Sequence, residues 1–240
     1  LELRYSPSHF AARGQFDERD VVDIVHNAIQ RGAEDFEIIV VPILTISRDY
    51  GYELARNTVD LALSLPAGYF CGLDIAGDEV NNSALPFAEL FKSFKSGGRC
   101  LTVHAGEVCG AENVRQAVLQ FNTDRIGHGI HAAESEDVMA LLRKKNVLLE
   151  VCLTSNIHTG VVDSLKNHPF ARLIRSGVPV CLNTDDPAIS SITLTDDYVN
   201  AVNELGVTEY QLRKMNLDAL DHAFYSNKEE LKQKLSHHWQ

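Results

Sequence analysis

Apolar residues along this chain come in short, nearly continuous runs rather than in alternation. The runs are residues 1–5, 36–46, 69–76, 100–105, 125–129, 147–152 and 178–184, and they are rich in Val, Ile and Leu. A strand buried on both faces reads in this way, so the pattern predicts seven strands of a parallel sheet. The segments between them have helical period. Val114, Ala117, Val118 and Phe121 lie at i, i+3, i+4 and i+7, as do Val21, Ile24, Val25 and Ala28. Asp17 reads as an N-cap and Gly32 as the residue just past that helix's end. The helix opening at Ser135 begins with acids and closes on Arg143, Lys144 and Lys145, matching the helix dipole. Three further helices are expected at about 193–205, 208–220 and 227–238.

Strand–helix alternation with right-handed crossovers leaves few topologies. The choices are an open doubly wound sheet or a (β/α)8 barrel with seven of its eight strands in this chain. The opening "LELRYSP" starts inside a strand, which favours the barrel, read as one domain over residues 1–240 truncated at its N-terminus, with extra C-terminal helices. A chain of 240 residues is long enough for such a domain.

Composition narrows the partners. With 22 Lys+Arg against 33 Asp+Glu the net charge is −11, which disfavours a nucleic-acid backbone or an anionic membrane surface. No run of 18 apolar residues suggests a membrane span. The five cysteines lack a C-x-x-C, and several lie in apolar runs, so a reducing cytoplasm is the simplest expectation.

Polar residues concentrate where strands end. His104 and Glu107 close "LTVHAGE", His128 closes "RIGH", Asp185 and Asp186 follow "CLNT", and Gly77 follows "LDIA". In barrels and open α/β sheets alike, the C-terminal edge of the strands is where ligands bind. Each signal alone has a plain explanation: "DDP" suits a helix N-cap and "GHG" a tight bend. Their coincidence on one edge points to a site. His and Asp are good zinc ligands, a catalytic zinc keeps one position for water, and a nearby Glu can shuttle protons.

Taken in order, "LDIAGDE", "TVHAGE", "RIGHGIH", "EVCLTSN" and "LNTDDP" resemble the adenosine deaminase family of zinc-dependent amidohydrolases, and "LELRYSP" resembles that family's second barrel strand. The likeness runs from the first residues to about Asp197. It implies a (β/α)8 barrel with Zn2+ at its mouth, His104 and Asp185 as metal ligands, and Glu107 as proton donor to the ring nitrogen beside the amino-bearing carbon. It implies that His128 orients the attacking hydroxide and helps accept its proton, that Asp186 hydrogen-bonds the purine, and that Gly77 offers backbone hydrogen bonds to the ring. The implied reaction is hydrolysis of adenosine or deoxyadenosine to inosine or deoxyinosine plus ammonia, with a small purine nucleoside as the partner.

One departure stands out. The family's H-x-H zinc pair occurs nowhere in the chain; His237 and His238 are adjacent and "HGIH" has the wrong spacing. Two further histidine ligands are therefore expected before Leu1. Alternatives are a deaminase of adenine or of another adenine nucleoside such as aminodeoxyfutalosine, and an inactive fragment or purine-binding pseudoenzyme. "LTSNIHTG" resembles the nucleoside-type members more closely than the adenine-type ones. The H-x-E and P-C-x-x-C signature of cytidine-type deaminases is absent, which disfavours polynucleotide editing.

Overall fold

A computed structural model describes residues 1–14 and 16–236. All seven expected strands form, and the contacts group the chain into two compact units, Leu1–Val103 and His104–Gln240.

In the first unit β1 (Glu2–Tyr5), β2 (Val41–Ser47), β3 (Gly72–Ala76) and β4 (Cys100–Ala105, its residues up to Val103) pair in parallel and in chain order. Glu2 pairs with Val41, Ile43 with Gly72 and Leu73 with Leu101. Ile43, Leu44, Ile46, Leu73 and Ile75 are fully buried, as their unbroken apolar runs require. The helix Glu18–Asp35 starts where expected: the Asp17 side chain accepts from the Arg19 N–H at 2.8 Å. It does not stop at Gly32. Three more residues continue it to Asp35, past the last buried position at Ile29; a glycine inside a helix costs only about 1 kcal/mol and does not by itself end one. The helix Tyr52–Ser64 ends against Arg99, whose guanidinium donates to Ala62 O at 2.8 Å and Leu65 O at 2.9 Å and lies over the Phe94 ring. A cation thus satisfies carbonyls that a helix end leaves open.

In the second unit β5 (Arg125–His128), β6 (Leu148–Val151) and β7 (Val180–Leu182) are again parallel, with Gly127 opposite Glu150 and Glu150 opposite Cys181. The helix Glu136–Lys145 is capped by Ser135 and closed by left-handed Asn146. Thr208 and Gln211 form a capping box at the helix Glu209–His222. The last helix is Lys228–Ser236; the expected residues 237–238 lie outside the described region.

At the start of β5, Arg125 and Glu150 form a buried ion pair, Nε to Oε1 at 2.8 Å. The guanidinium also stacks 3.5 Å from the Phe224 ring centroid and donates to His222 O at 3.2 Å, tying the end of the helix Glu209–His222 to the strands. Removing one partner of a buried pair strands the other charge. Glu150→Ala is expected to cost about 3–5 kcal/mol in urea unfolding. The joint replacement Arg125→Met with Glu150→Leu should cost clearly less, and equal losses would show that charge stranding is not the cause.

Candidate functional site

His104 is the penultimate residue of β4, and Glu107 follows two residues beyond its end. His128 closes β5, and Asp185 and Asp186 lie between β7 and the short helix Pro187–Ser190. These five residues all belong to the unit His104–Gln240, and the structure brings them together. The His104 and His128 rings are 5.2 Å apart, centroid to centroid. His128 Nε2 is 3.6 Å from Glu107 Oε2 and 3.9 Å from Asp185 Oδ2. Asp186 feels both neighbours: partial burial first, and then the Asp185 charge, push its carboxyl above the ordinary range, while His104 pulls the other way.

His128 and Asp185 both sit at φ +57°, in the left-handed region. For a residue with a Cβ that conformation costs energy and persists only where the surroundings impose it. Asp186 occupies the N-cap position of Pro187–Ser190, yet its side chain makes no cap hydrogen bond. The capping explanation of "DDP" therefore fails for the side chain, which is left for other work.

Close approach shapes the His104 ring. A Cβ on Gly127 of β5 would fall 2.9 Å from His104 Nδ1 and 3.0 Å from its Cγ. No real Cβ tolerates that distance, so Gly127 is what lets the ring lie flat against the neighbouring strand.

The residues that hold this cluster lie on the helix Leu153–His158, directly after β6. Ser155 Oγ donates to Asp185 Oδ2 at 2.7 Å. The Asn156 side chain, fully buried, contacts His128 Nδ1 at 3.1 Å and His168 Nε2 at 3.2 Å. Thr154 Oγ1 donates to the buried Asp197 Oδ1 at 2.5 Å. Thr154, Ser155 and Asn156 fall within the motif "EVCLTSN", which assigns them no individual role, and His168 and Asp197 are given none either. The available signal is a run of three polar residues, T-S-N, two residues after a strand buried throughout.

Gly77 belongs to the other unit, where it follows β3 at φ +108°. A Cβ there would lie 2.6 Å from Asp49 Oδ2. Asp49 Oδ1 accepts from the Asp78 N–H and the Asn82 amide, each at 2.9 Å, and so clamps the loop that carries Gly77. Gly77 also borders a cavity of about 400 Å³ lined in part by Ser6, His9, Ser47, Asp49 and Tyr50.

As metal donors, His104 and Asp185 are right in kind and short in number. A catalytic zinc takes three or more protein ligands. Among the described residues no group of three His, Cys, Asp or Glu side chains is arranged to hold an ion. These residues alone do not complete a zinc site.

Two outcomes follow from this packing. Gly127→Ala should displace the His104 ring, read as shifted His104 imidazole NMR signals relative to wild type, while lowering stability in urea by no more than about 1 kcal/mol; unchanged His104 signals would show that the ring has room to shift. The second concerns His168, whose pKa burial lowers from 6.5 to about 4. The unfolded chain takes up a proton near pH 6.5 and the folded chain only near pH 4, so acidification through that window favours unfolding. Stability should fall by up to about 3 kcal/mol between pH 6.5 and 4, and His168→Gln should flatten that slope.

Comparison with known proteins accords with the geometry. The family model described as adenosine deaminase matches residues 1–237. An adenosine deaminase of Vibrio parahaemolyticus is 38% identical over 236 residues, covering 98% of this chain and 70% of that protein. The crystal structure of an adenine deaminase from Arthrobacter aurescens superposes with a TM-score of 0.91 at 27% identity, over 98% of this chain and 72% of that one. The N6-methyl-AMP deaminase from Arabidopsis thaliana gives 0.83 at 28%, over 100% and 71%. The strands and helices are thus those of the amidohydrolase (β/α) barrel, with seven strands in this chain. The chain belongs to the adenosine deaminase family and is a hydrolytic deaminase.

Proposed function

We propose that this protein hydrolyses the amino group of adenosine or deoxyadenosine, giving inosine or deoxyinosine and ammonia. The observation that carries the reading is the convergence of Glu107 and Asp185 on one buried imidazole edge, 3.6 and 3.9 Å from His128 Nε2. In the reaction a C–O bond from water forms at the amino-bearing carbon and the C–N bond breaks. Glu107, half-buried at the end of β4, donates a proton to the adjacent ring nitrogen. His128 orients the attacking water. Asp186, held above the ordinary carboxylate range, hydrogen-bonds the purine. His104 and Asp185 would hold zinc, with further donors beyond those among the described residues. Such an ion supplies water that ionises near neutral pH.

A nucleoside is favoured over free adenine by the likeness of "LTSNIHTG" to the nucleoside-type members of the family. The 38% identity to an adenosine deaminase supports the same choice. Adenine is the second reading, supported by the likeness to an adenine deaminase structure.

Steady-state turnover of adenosine, deoxyadenosine, adenine, aminodeoxyfutalosine and N6-methyl-AMP separates these. Adenosine or deoxyadenosine should have the highest kcat/KM, and adenine ahead of both would reverse the assignment. Glu107→Gln should lower kcat by about 10²-fold or more with zinc content unchanged; normal turnover in that variant would remove Glu107 from the mechanism.

A further inference from the structure

Two side chains given no individual role by any motif, Asn156 and His168, form with the Phe170 backbone amide one unbroken line behind His128. Phe170 N–H donates to His168 Nδ1 at 3.1 Å, His168 Nε2 meets Asn156 Oδ1 at 3.2 Å, and Asn156 Nδ2 meets His128 Nδ1 at 3.1 Å. All of these side chains are buried: Asn156 and His128 are 0% and 2% exposed, so water does not offer alternative partners.

Positions alone do not tell an amide oxygen from its nitrogen, or one imidazole tautomer from the other. A backbone amide removes the ambiguity, because it can only donate. His168 Nδ1 accepts from Phe170, so it carries no proton. The neutral ring then holds its proton on Nε2, consistent with burial holding His168 neutral down to about pH 4. That Nε2–H needs an acceptor, so Asn156 must present its oxygen to His168 and its NH2 to His128. His128 Nδ1 therefore receives a hydrogen bond, and its own proton lies on Nε2, the edge that faces Glu107 and Asp185.

We infer that Asn156 and His168 are positioning residues that fix His128 as its Nε2–H tautomer, so that His128 meets the reacting oxygen as a hydrogen-bond donor. The inference rests on the deaminase reading for the identity of that oxygen, but not for the tautomer. It narrows the role of His128. An imidazole with a proton already on Nε2 orients an oxygen lone pair, and it has no free pair on that edge with which to take a proton. A proton placed on Nδ1 would point at the Asn156 amide N–H, donor against donor. The same line also gives the buried amide and the His168 imidazole a partner at each end, which such groups require.

The test reads the ring directly. Imidazole 15N NMR of the full chain should show His128 with a protonated Nε2 and an unprotonated Nδ1, and His168 likewise. A wild-type His128 protonated on Nδ1 overturns the inference, whether or not any variant folds. Asn156→Asp keeps the shape but turns the donor toward His128 into an acceptor. It should place a proton on His128 Nδ1 and lower kcat by about 10²-fold or more, with KM within about threefold. Retained kcat with the shifted tautomer would overturn the positioning role. His168→Gln preserves an N–H toward Asn156 and should keep most of the activity and the Nε2–H signal. His168→Leu removes that donor, frees the amide to turn, and should lose both; equal behaviour of the two overturns the relay. Absence of turnover on every purine, with the ring signals as stated, would defeat the deaminase reading and leave the tautomer assignment supported.

Discussion

The hydrogen bond from Thr154 to Asp197 anchors the helix on which the site depends. The helix 153–158 has six residues, too few to be stable by its own hydrogen bonds. Its place is set by neighbours. Asp197 is fully buried on the helix Leu194–Asn203, and burial pushes its carboxyl above the ordinary range. A hydroxyl donor is therefore worth more there than at a surface. With Thr154 held, the next two residues follow in rotation around the helix: Ser155 reaches Asp185 and Asn156 reaches His128. Two strand ends are thus tied to one short helix.

Those strand ends carry conformational cost. His128 and Asp185 both occupy the left-handed region, and neither is glycine. What keeps them there is the same pair of hydrogen bonds, together with the fully buried apolar side chains of β5 and β6. Strained backbone next to reactive side chains is common where geometry must be preset rather than found during the reaction. Carboxylates add a second cost. Glu107 and Asp185 crowd His128, and partial burial first, then the Asp185 charge, raise the Asp186 carboxyl.

The first unit has a clamp of its own. Asp49 accepts from the Asp78 N–H and the Asn82 amide and so holds the loop that carries Gly77, beside the cavity lined in part by Ser6 and Tyr50. The chain resembles adenosine, adenine and N6-methyl-AMP deaminases alike, so the fold by itself does not select the substrate.

The strands were legible in the chain: β2, β3 and β6 are largely apolar because they are buried along most of their length, while β1, with Glu2 and Arg4, is only half-buried. Asp17 and Ser135 marked helix starts, since a cap is a local hydrogen bond between near neighbours. Gly32 misled, because one glycine costs a helix too little to end it, and this helix runs on to Asp35. His104, Glu107, His128, Asp185 and Asp186 stood out as polar residues where apolar runs stop, and folding did bring them together. The tertiary structure alone decided what lies behind them. His168 is 12 residues from Asn156, Asn156 is 28 from His128, and Asp197 is 43 from Thr154. A side chain's type states what it can donate or accept, but its partner is whichever distant segment the fold lays beside it.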